Sequence, residues 1–296
     1  MSWYDGLEDI LRRNEPLAKR TTFRIGGPAA TFLEPDDERQ FALAYSAALR
    51  SGLPVHILGG GSNLLICDEG VPGVVLSTAL LQSGAPAVHE GRVVVRAGMR
   101  LSRLVRWTAQ SGLAGLECLA GIPGTVGGAV RMNAGGRYGC VGGRVEAIWC
   151  ADRRGETVMR QARHVRWGYR STDIAEPILA VEFQLERDSA GKTEGRLTEI
   201  LEEKRSSQPV ELRSAGCFFK NPPKESAGRL IDGAGMKGRR VGGACVSDKH
   251  ANFIVNLGGA TARDVLALST QVRERVRECF RVSLESEVCY WPQAAY

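Results

Sequence analysis

An α+β fold is predicted for this 296-residue chain, because strand-like and helix-like stretches are mixed rather than alternating as regular βα units. Two further observations narrow the class. The 36 glycines exceed ordinary usage and cluster, which points to tight turns and to places where bare backbone approaches a ligand closely. Hydrophobic residues make up 43% and charged residues 24%, the balance of an ordinary globular protein long enough for two domains or one core with an appended lobe.

From the N-terminus, DGLEDILRRN reads as a short helix, and TTFRIGGPAATFLEP as a strand, a glycine turn and a second strand. DDERQFALAYSAALRSG opens on acidic residues and closes on glycine, which bounds a helix well. PVHILGGGSNLLI is a buried strand, a triple-glycine turn and another apolar stretch; VPGVVLST and GRVVVRAGM are strands, and RLSRLVRWTAQSG is a helix ended by glycine. Gly112 to Gly143 is glycine-rich with little periodicity. Three strands follow, in RVEAIWCAD, GETVMRQ and ILAVEFQLE, and DSAGKTEG reads as a surface connection and domain boundary. Beyond it lie helices (RLTEILEEKRSS, ATARDVLALSTQVRERVRECF) and strands (HANFIVNL, SLESEVCYW).

Several function classes are disfavoured. The eight cysteines include no C-x-x-C pair and the four histidines no H-x-x-x-H pair, so no metal site is expected. The N-terminus lacks the apolar core of a signal peptide, and no apolar run approaches the ~18 residues that span a bilayer. A cytoplasmic protein with reduced thiols and no membrane attachment is therefore expected. The formal charge of +6 fits either a generic basic surface or a site for anionic ligands. RVRERVREC alternates in sign like a solvated helix face, so nucleic acid is not an expected partner. No obligate protein partner is evident.

Two loops can carry chemistry. In LGGGSNLLI, Gly59, Gly60, Gly61, Ser62 and Asn63 expose successive N–H groups that suit phosphate oxygens, although a tight strand connection would use the same residues. In LECLAGIPGTVGGAVRMNAGG, Gly121, Gly124, Gly127 and Gly128 line a turn into an apolar segment, with Asn133, Ala134 and Gly135 beyond. Two such loops in one chain favour a dinucleotide. GAGMKG matches G-x-G-x-x-G but follows a helix-like AGRLID, so its context fails. Among ionisable residues, Arg170 sits beside an aromatic and a hydroxyl, and Glu285 and Glu287 would share one face of a strand. Lys204, Arg205, Lys220 and Asn221 each read singly as surface groups.

Taken together, TTFRIGGPA, LGGGSNLLI, GLECLAGIPGTVGGAVRMNAGG, YRST, KRSSQP, SAGCFFKNPP, AGRLIDGAGMKGRRVGGACVSDKHANFIVNLGGAT and LESEV resemble the UDP-N-acetylenolpyruvoylglucosamine reductase family, in order and from about Thr21 to Val288. The resemblance implies a two-lobed FAD-binding domain of the vanillyl-alcohol-oxidase-like superfamily plus a C-terminal α+β substrate-binding domain. Its lobes would be 1–80 and 81–190, with FAD held between them, the substrate domain 195–285, and a tail 286–296. It also implies non-covalent FAD, with no histidine in the loops around Gly59 or Gly121 to attach it, and NADPH as reductant. Hydride would pass from the flavin to the terminal carbon of the enolpyruvyl sugar nucleotide, and a proton to the adjacent carbon, giving UDP-N-acetylmuramate for peptidoglycan synthesis.

The same resemblance distributes roles. FAD falls to Gly59, Gly60, Gly61, Ser62, Asn63, Leu64, Gly121, Ile122, Pro123, Gly124, Thr125, Gly127, Gly128, Ala129, Asn133, Ala134 and Gly135. Arg170 and Glu287 match the family's catalytic arginine and glutamate at the substrate carboxylate. A glutamate there helps only when it is protonated or shares a proton. Asn221, Arg205 and Lys220 match substrate contacts, and Tyr169 and His250 fall to the substrate pocket. The short span from YRST to KRSSQP leaves no room for the extra tyrosine loop of some members. The departure is Cys217, where the family motif carries serine as proton donor. A free thiol, which ordinarily titrates near pH ~8.5, is protonated at neutral pH and is a better acid than an alcohol. A working substitution is therefore favoured over an inactive paralogue. Another oxidoreductase of the FAD superfamily, or a flavin-binding module without activity, are the remaining readings.

Overall fold

The structure, a computed structural model, describes residues 2–82 and 84–292. Of the expected tail at 286–296, residues 293–296 lie outside the described residues. The chain divides into two compact units, the first formed by Met1–Arg13, Thr31–Gly60 and Gly73–Glu203, the second by Asn14–Ala30, Gly61–Pro72 and Lys204–Tyr296.

A four-stranded sheet is ordered Leu11–Pro16, Pro28–Leu33, Val71–Ser77, Val55–Leu58, the last two parallel. Helix α1 (Glu38–Arg50) covers it, capped by Asp37, whose side chain accepts the Gln40 N–H. Phe41, Ala44 and Ala48 on one helix face are fully buried with Leu33, Val74 and Leu76. A five-stranded antiparallel sheet runs Thr157–Gln161, Val145–Ala151, Ile178–Gln184, Arg92–Arg96, Ala87–His89. Helices α2 (Leu101–Gln110) and α3 (Val126–Arg131) pack on it through Leu104, Val105, Val126 and Val130.

In the second unit, strands Arg213–Cys217, Phe253–Asn256, Ala244–Val246 and Arg240–Val241 form an antiparallel sheet in that order. It is overlaid by α5 (Ala227–Gly233) and α6 (Ala262–Phe280), the products of the AGRLID and ATARDV stretches, α4 being the earlier helix Ala190–Ser207. Thr261 and Asp264 close a capping box on α6. Phe23 and Ile25 from the TTFRIGG segment are buried in this core, and Cys289–Trp291 pairs in parallel with Leu64–Ile66.

Four local expectations are corrected. DGLEDILRRN supplies only a 3-10 turn, Glu8–Ile10, before strand Leu11–Pro16; Asn14, within the stretch, takes a left-handed φ of 53° that no helix accommodates. TTFRI forms no strand: Arg24 takes a left-handed φ of 57° just after a bend at Thr21–Phe23, and Phe23 and Ile25 enter the core. DSAGKTEG is not a connection, because α4 begins at Ala190 and tolerates Gly191 and Gly195. Thr193 anchors that end, fully buried with its Oγ1 donating to Ala109 C=O at 2.6 Å. SLESEV is no strand; it meets its neighbour through a single bridge, Phe219 with Ser286.

Candidate active site

The two glycine loops owe much of their composition to packing within the protein. A Cβ on Gly60 would stand 2.6 Å from Gly124 Cα, and one on Gly59 2.8 Å from Thr125 Oγ1. Both are closer than Cβ atoms come. Thr125 caps α3 by accepting the Gly128 N–H, while the next two N–H groups, of Val126 and Gly127, donate to Met99 and Ala97 C=O at 2.9 Å each. The first turn of α3 therefore spends N–H groups inside the protein, more than a phosphate-binding helix start would. Gly135 is required by its hairpin, since a Cβ there would lie 2.3 Å from Gly139 C=O. Gly121 and Gly128 differ. Both are exposed, Gly121 at a φ of 71°, and a Cβ on Gly128 would meet only Thr125 Oγ1 at 3.4 Å, an ordinary contact. With Pro123 exposed and Ile122, Gly124 and Ala134 half-buried, this face leaves open the bare backbone that a flat dinucleotide such as FAD requires, so the residues fit that cofactor. Ala129 is buried, and its carbonyl accepts the Ala134 N–H at 2.8 Å.

Asn133 is tied into the protein at both ends of its amide. Buried and at a φ of 41°, it donates from Nδ2 to Gly168 C=O at 2.8 Å and accepts the Gly142 N–H on Oδ1 at 3.2 Å. Gly168 belongs to the hairpin Trp167–Gly168, Ser171–Thr172, whose two-residue turn is Tyr169 and Arg170. Arg170 takes a φ of 55° there, and its guanidinium lies 5.0 Å from the exposed Tyr169 ring. A bulky residue held at positive φ is a strain that surrounding structure must enforce, and such strain clusters at functional positions. Asn133 and the Thr172 Oγ1, which donates to Arg131 C=O at 3.0 Å, supply that enforcement.

In the second unit, Gly61 presses on Arg20, where a Cβ would be 2.2 Å from its C=O, and accepts the Thr22 N–H at 3.1 Å. Ser62 and Leu64 are half-buried. Asn63 reaches across, donating from Nδ2 to Glu287 C=O at 3.1 Å and accepting the Cys289 N–H on its own C=O at 3.0 Å. Cys217 ends strand Arg213–Cys217, opposite Phe253, half-buried and packed against Cys245, Phe253 and Val255. Immediately beyond it the chain runs antiparallel to the LESEV segment. Phe218 C=O accepts the Glu287 N–H, and Glu285 C=O accepts the Lys220 N–H, each at 2.9 Å. The backbone thus sets Glu287 against Phe218, the residue that follows Cys217. Glu285 is exposed and pairs with Lys220 at 3.5 Å, whereas Glu287 is half-buried.

The other expected contacts are scattered around this strip. Asn221 Oδ1 accepts the Ala227 N–H at 3.0 Å, next to the start of α5. His250 is half-buried, its ring edge-on to Phe253 at 5.0 Å, with Nδ1 accepting the Asn252 N–H at 3.2 Å. Burial, with Lys237 a smaller contributor, lowers its pKa and favours the neutral ring. Arg205, exposed near the end of α4, accepts on its backbone C=O from Lys249 Nζ. Two residues lay unnoticed in the sequence. Thr22 Oγ1 donates to Ser214 C=O at 2.7 Å, steadying the strand that ends in Cys217. Asn252 grips Phe219 by both ends of its amide. The available signal was an asparagine just ahead of the apolar run FIV, a residue type that makes side-chain bonds to backbone at such boundaries.

Known proteins resemble this chain along nearly its whole length. The family of the UDP-N-acetylenolpyruvoylglucosamine reductase C-terminal domain matches residues 208–291, and that of an FAD-binding domain matches 29–159. UDP-N-acetylenolpyruvoylglucosamine reductase of Moorella thermoacetica is 43% identical over 289 residues, covering 97% of this chain and 95% of its own. The enzyme of that name from Geobacter metallireducens is 42% identical over 284 residues, covering 95% and 94%. The crystal structure of the reductase from Thermus caldophilus superposes with a TM-score of 0.82 at 38% identity, covering 95% of this chain and 98% of that one. On these matches, the chain belongs to the UDP-N-acetylenolpyruvoylglucosamine reductase family.

Proposed function

We propose that this chain carries out its family's reduction with Cys217 as the acid that delivers a proton to carbon, and with Glu287 and Arg170 meeting the charge that develops on the substrate carboxylate. The reaction is FAD-dependent: bound FAD supplies the hydride to the enolpyruvyl group of UDP-N-acetylenolpyruvoylglucosamine. NADPH is the reductant assigned to it. Everything else falls to side chains. Hydride arrival at the terminal carbon spreads negative charge over the adjacent carbon and its carboxylate, and preorganised donors facing that charge lower the barrier most. The planar guanidinium of Arg170 suits a carboxylate. Glu287 shares a proton with the same group, and Cys217 gives its thiol proton to the carbon. General acids of this kind contribute about 100- to 10,000-fold. The thiol sits half-buried against Cys245, Phe253 and Val255.

The observation that carries the reading is the backbone strip on which Glu287 N–H meets Phe218 C=O, one residue from Cys217. Arg205, Lys220, Asn221, Tyr169 and His250 are assigned to binding the sugar nucleotide. The glycine loops at 59–64 and 121–135 are assigned to FAD, within lobes 1–80 and 81–190, and residues 195–285 to the substrate. The wild-type protein provides the test. It should purify yellow and release its flavin on denaturation. NADPH should bleach it, and the enolpyruvyl sugar nucleotide should then restore the colour without oxygen. Bleaching with no anaerobic recovery would leave a flavin-binding protein and end the reductase reading.

A further inference from the structure

Asn252 stands just ahead of strand Phe253–Asn256, with its side chain buried. Its polar groups converge on one short piece of chain. Oδ1 accepts the Phe219 N–H at 2.9 Å, Nδ2 donates to Phe219 C=O at 2.8 Å, and its backbone C=O accepts the Phe218 N–H at 2.7 Å. The two side-chain bonds reproduce what a residue of a neighbouring strand offers in a hydrogen-bonded antiparallel pair. The ladder itself cannot supply them here. Pairing between Arg213–Cys217 and Phe253–Asn256 slips between Ser214 and Cys217, where Gly216 turns the chain at a φ of 80°. On its far side the gripped dipeptide holds the reacting groups. Cys217 precedes Phe218 directly, and Phe218 C=O receives the Glu287 N–H at 2.9 Å. Asn63 then fixes the opposite end of Glu287 through its C=O.

We propose that Asn252 is a positioning residue for the proton-transfer step, holding Cys217 and Glu287 in place through Phe218 and Phe219. The inference rests on the reading of Cys217 as proton donor. A carboxamide is suited to the task because it has one donor end and one acceptor end. Leucine has a similar shape and neither end, so it would strip both partners from the backbone of Phe219, which is 1% exposed. Glutamine keeps both ends on a longer stem. Flavin reduction by NADPH makes no use of a proton donor to carbon, so the loss should fall on one half of the catalytic cycle.

The experiment compares full-length, FAD-loaded wild type, Asn252→Leu and Asn252→Gln by anaerobic stopped flow. In Asn252→Leu, bleaching by NADPH should stay within about threefold of wild type, while recovery of colour with the enolpyruvyl sugar nucleotide should slow on the order of 100-fold, the loss that a misplacement of about 1 Å produces. Asn252→Gln should recover part of that rate. Peptide-resolved alkylation of Cys217 in the substrate-free enzyme should also change in rate in Asn252→Leu, with exposed Cys140 and Cys279 as unchanged internal references. Equal slowing of both halves, unaltered recovery of colour, or glutamine performing no better than leucine would overturn the proposal. So would loss of folded, yellow protein in both variants, which would assign Asn252 to folding. The alkylation readout reports the placement of Cys217 whether or not its thiol is the donor. A failure of the donor reading would appear separately, as undiminished turnover of Cys217→Ala.

Discussion

Arg170 holds its side chain from a φ of 55°, a conformation that costs an ordinary residue about 1–2 kcal/mol and glycine almost nothing. Asn133 and Thr172 keep the turn in that shape. The arrangement makes sense if the guanidinium is needed where the turn puts it. Arg170→Gly should therefore leave the melting temperature unchanged or raised. It should also lower kcat/KM about 10- to 100-fold, the value of a hydrogen bond to a charged group. Parallel thermal melts and steady-state kinetics check both halves; a destabilised variant with normal kinetics would refute the assignment. Arg170 could be picked out in the sequence through its YRST context, but its backbone strain could not. Asn133 and Asn63 were visible as members of glycine loops. Their bonds to Gly168 and Glu287 depend on segments distant in sequence, and no local pattern announces such partners.

The glycine loops separate into residues that serve the protein and residues that face outward. Gly60→Ala would set a Cβ 2.6 Å from Gly124 Cα, backbone against backbone, and should destabilise the apoprotein by about 1–3 kcal/mol. Gly128→Ala meets only the 3.4 Å contact with Thr125 Oγ1 inside α3 and should leave the apoprotein as stable or more so. If FAD lies against this face, Gly128→Ala should nevertheless weaken flavin binding. Denaturation of the apoprotein and flavin titration distinguish the two effects, and unchanged FAD affinity in Gly128→Ala would remove Gly128 from the cofactor site. Among longer elements, α1, α2 and α6 were legible because each carries an apolar face between end signals, such as Asp37 before α1 and Thr261 before α6. The start of α4 is not legible because Gly191 and Gly195 look like loop residues, and only the buried Thr193 reveals the anchor. The TTFRI segment looks like a strand for a related reason. Its alternating apolar residues enter a core directly instead of forming a sheet face.

The fold and the family were both readable from ordered motifs across nearly the full chain, and the comparisons with reductases covering 95% or more of it agree. The two-unit division was not readable in the same way. Residues 14–30 and 61–72 join the C-terminal stretch in one compact unit, a long-range partition that local composition does not encode. The residue on which the reaction turns is the thiol at position 217, one residue before Phe218, whose C=O accepts the Glu287 N–H. Its role is decided by separating the two halves of the cycle in Cys217→Ala and Cys217→Ser. With Cys217→Ala, NADPH should bleach the flavin at the wild-type rate, and the enolpyruvyl sugar nucleotide should fail to restore the colour; Cys217→Ser should complete both steps. Recovery of colour in Cys217→Ala at the wild-type rate would contradict the account.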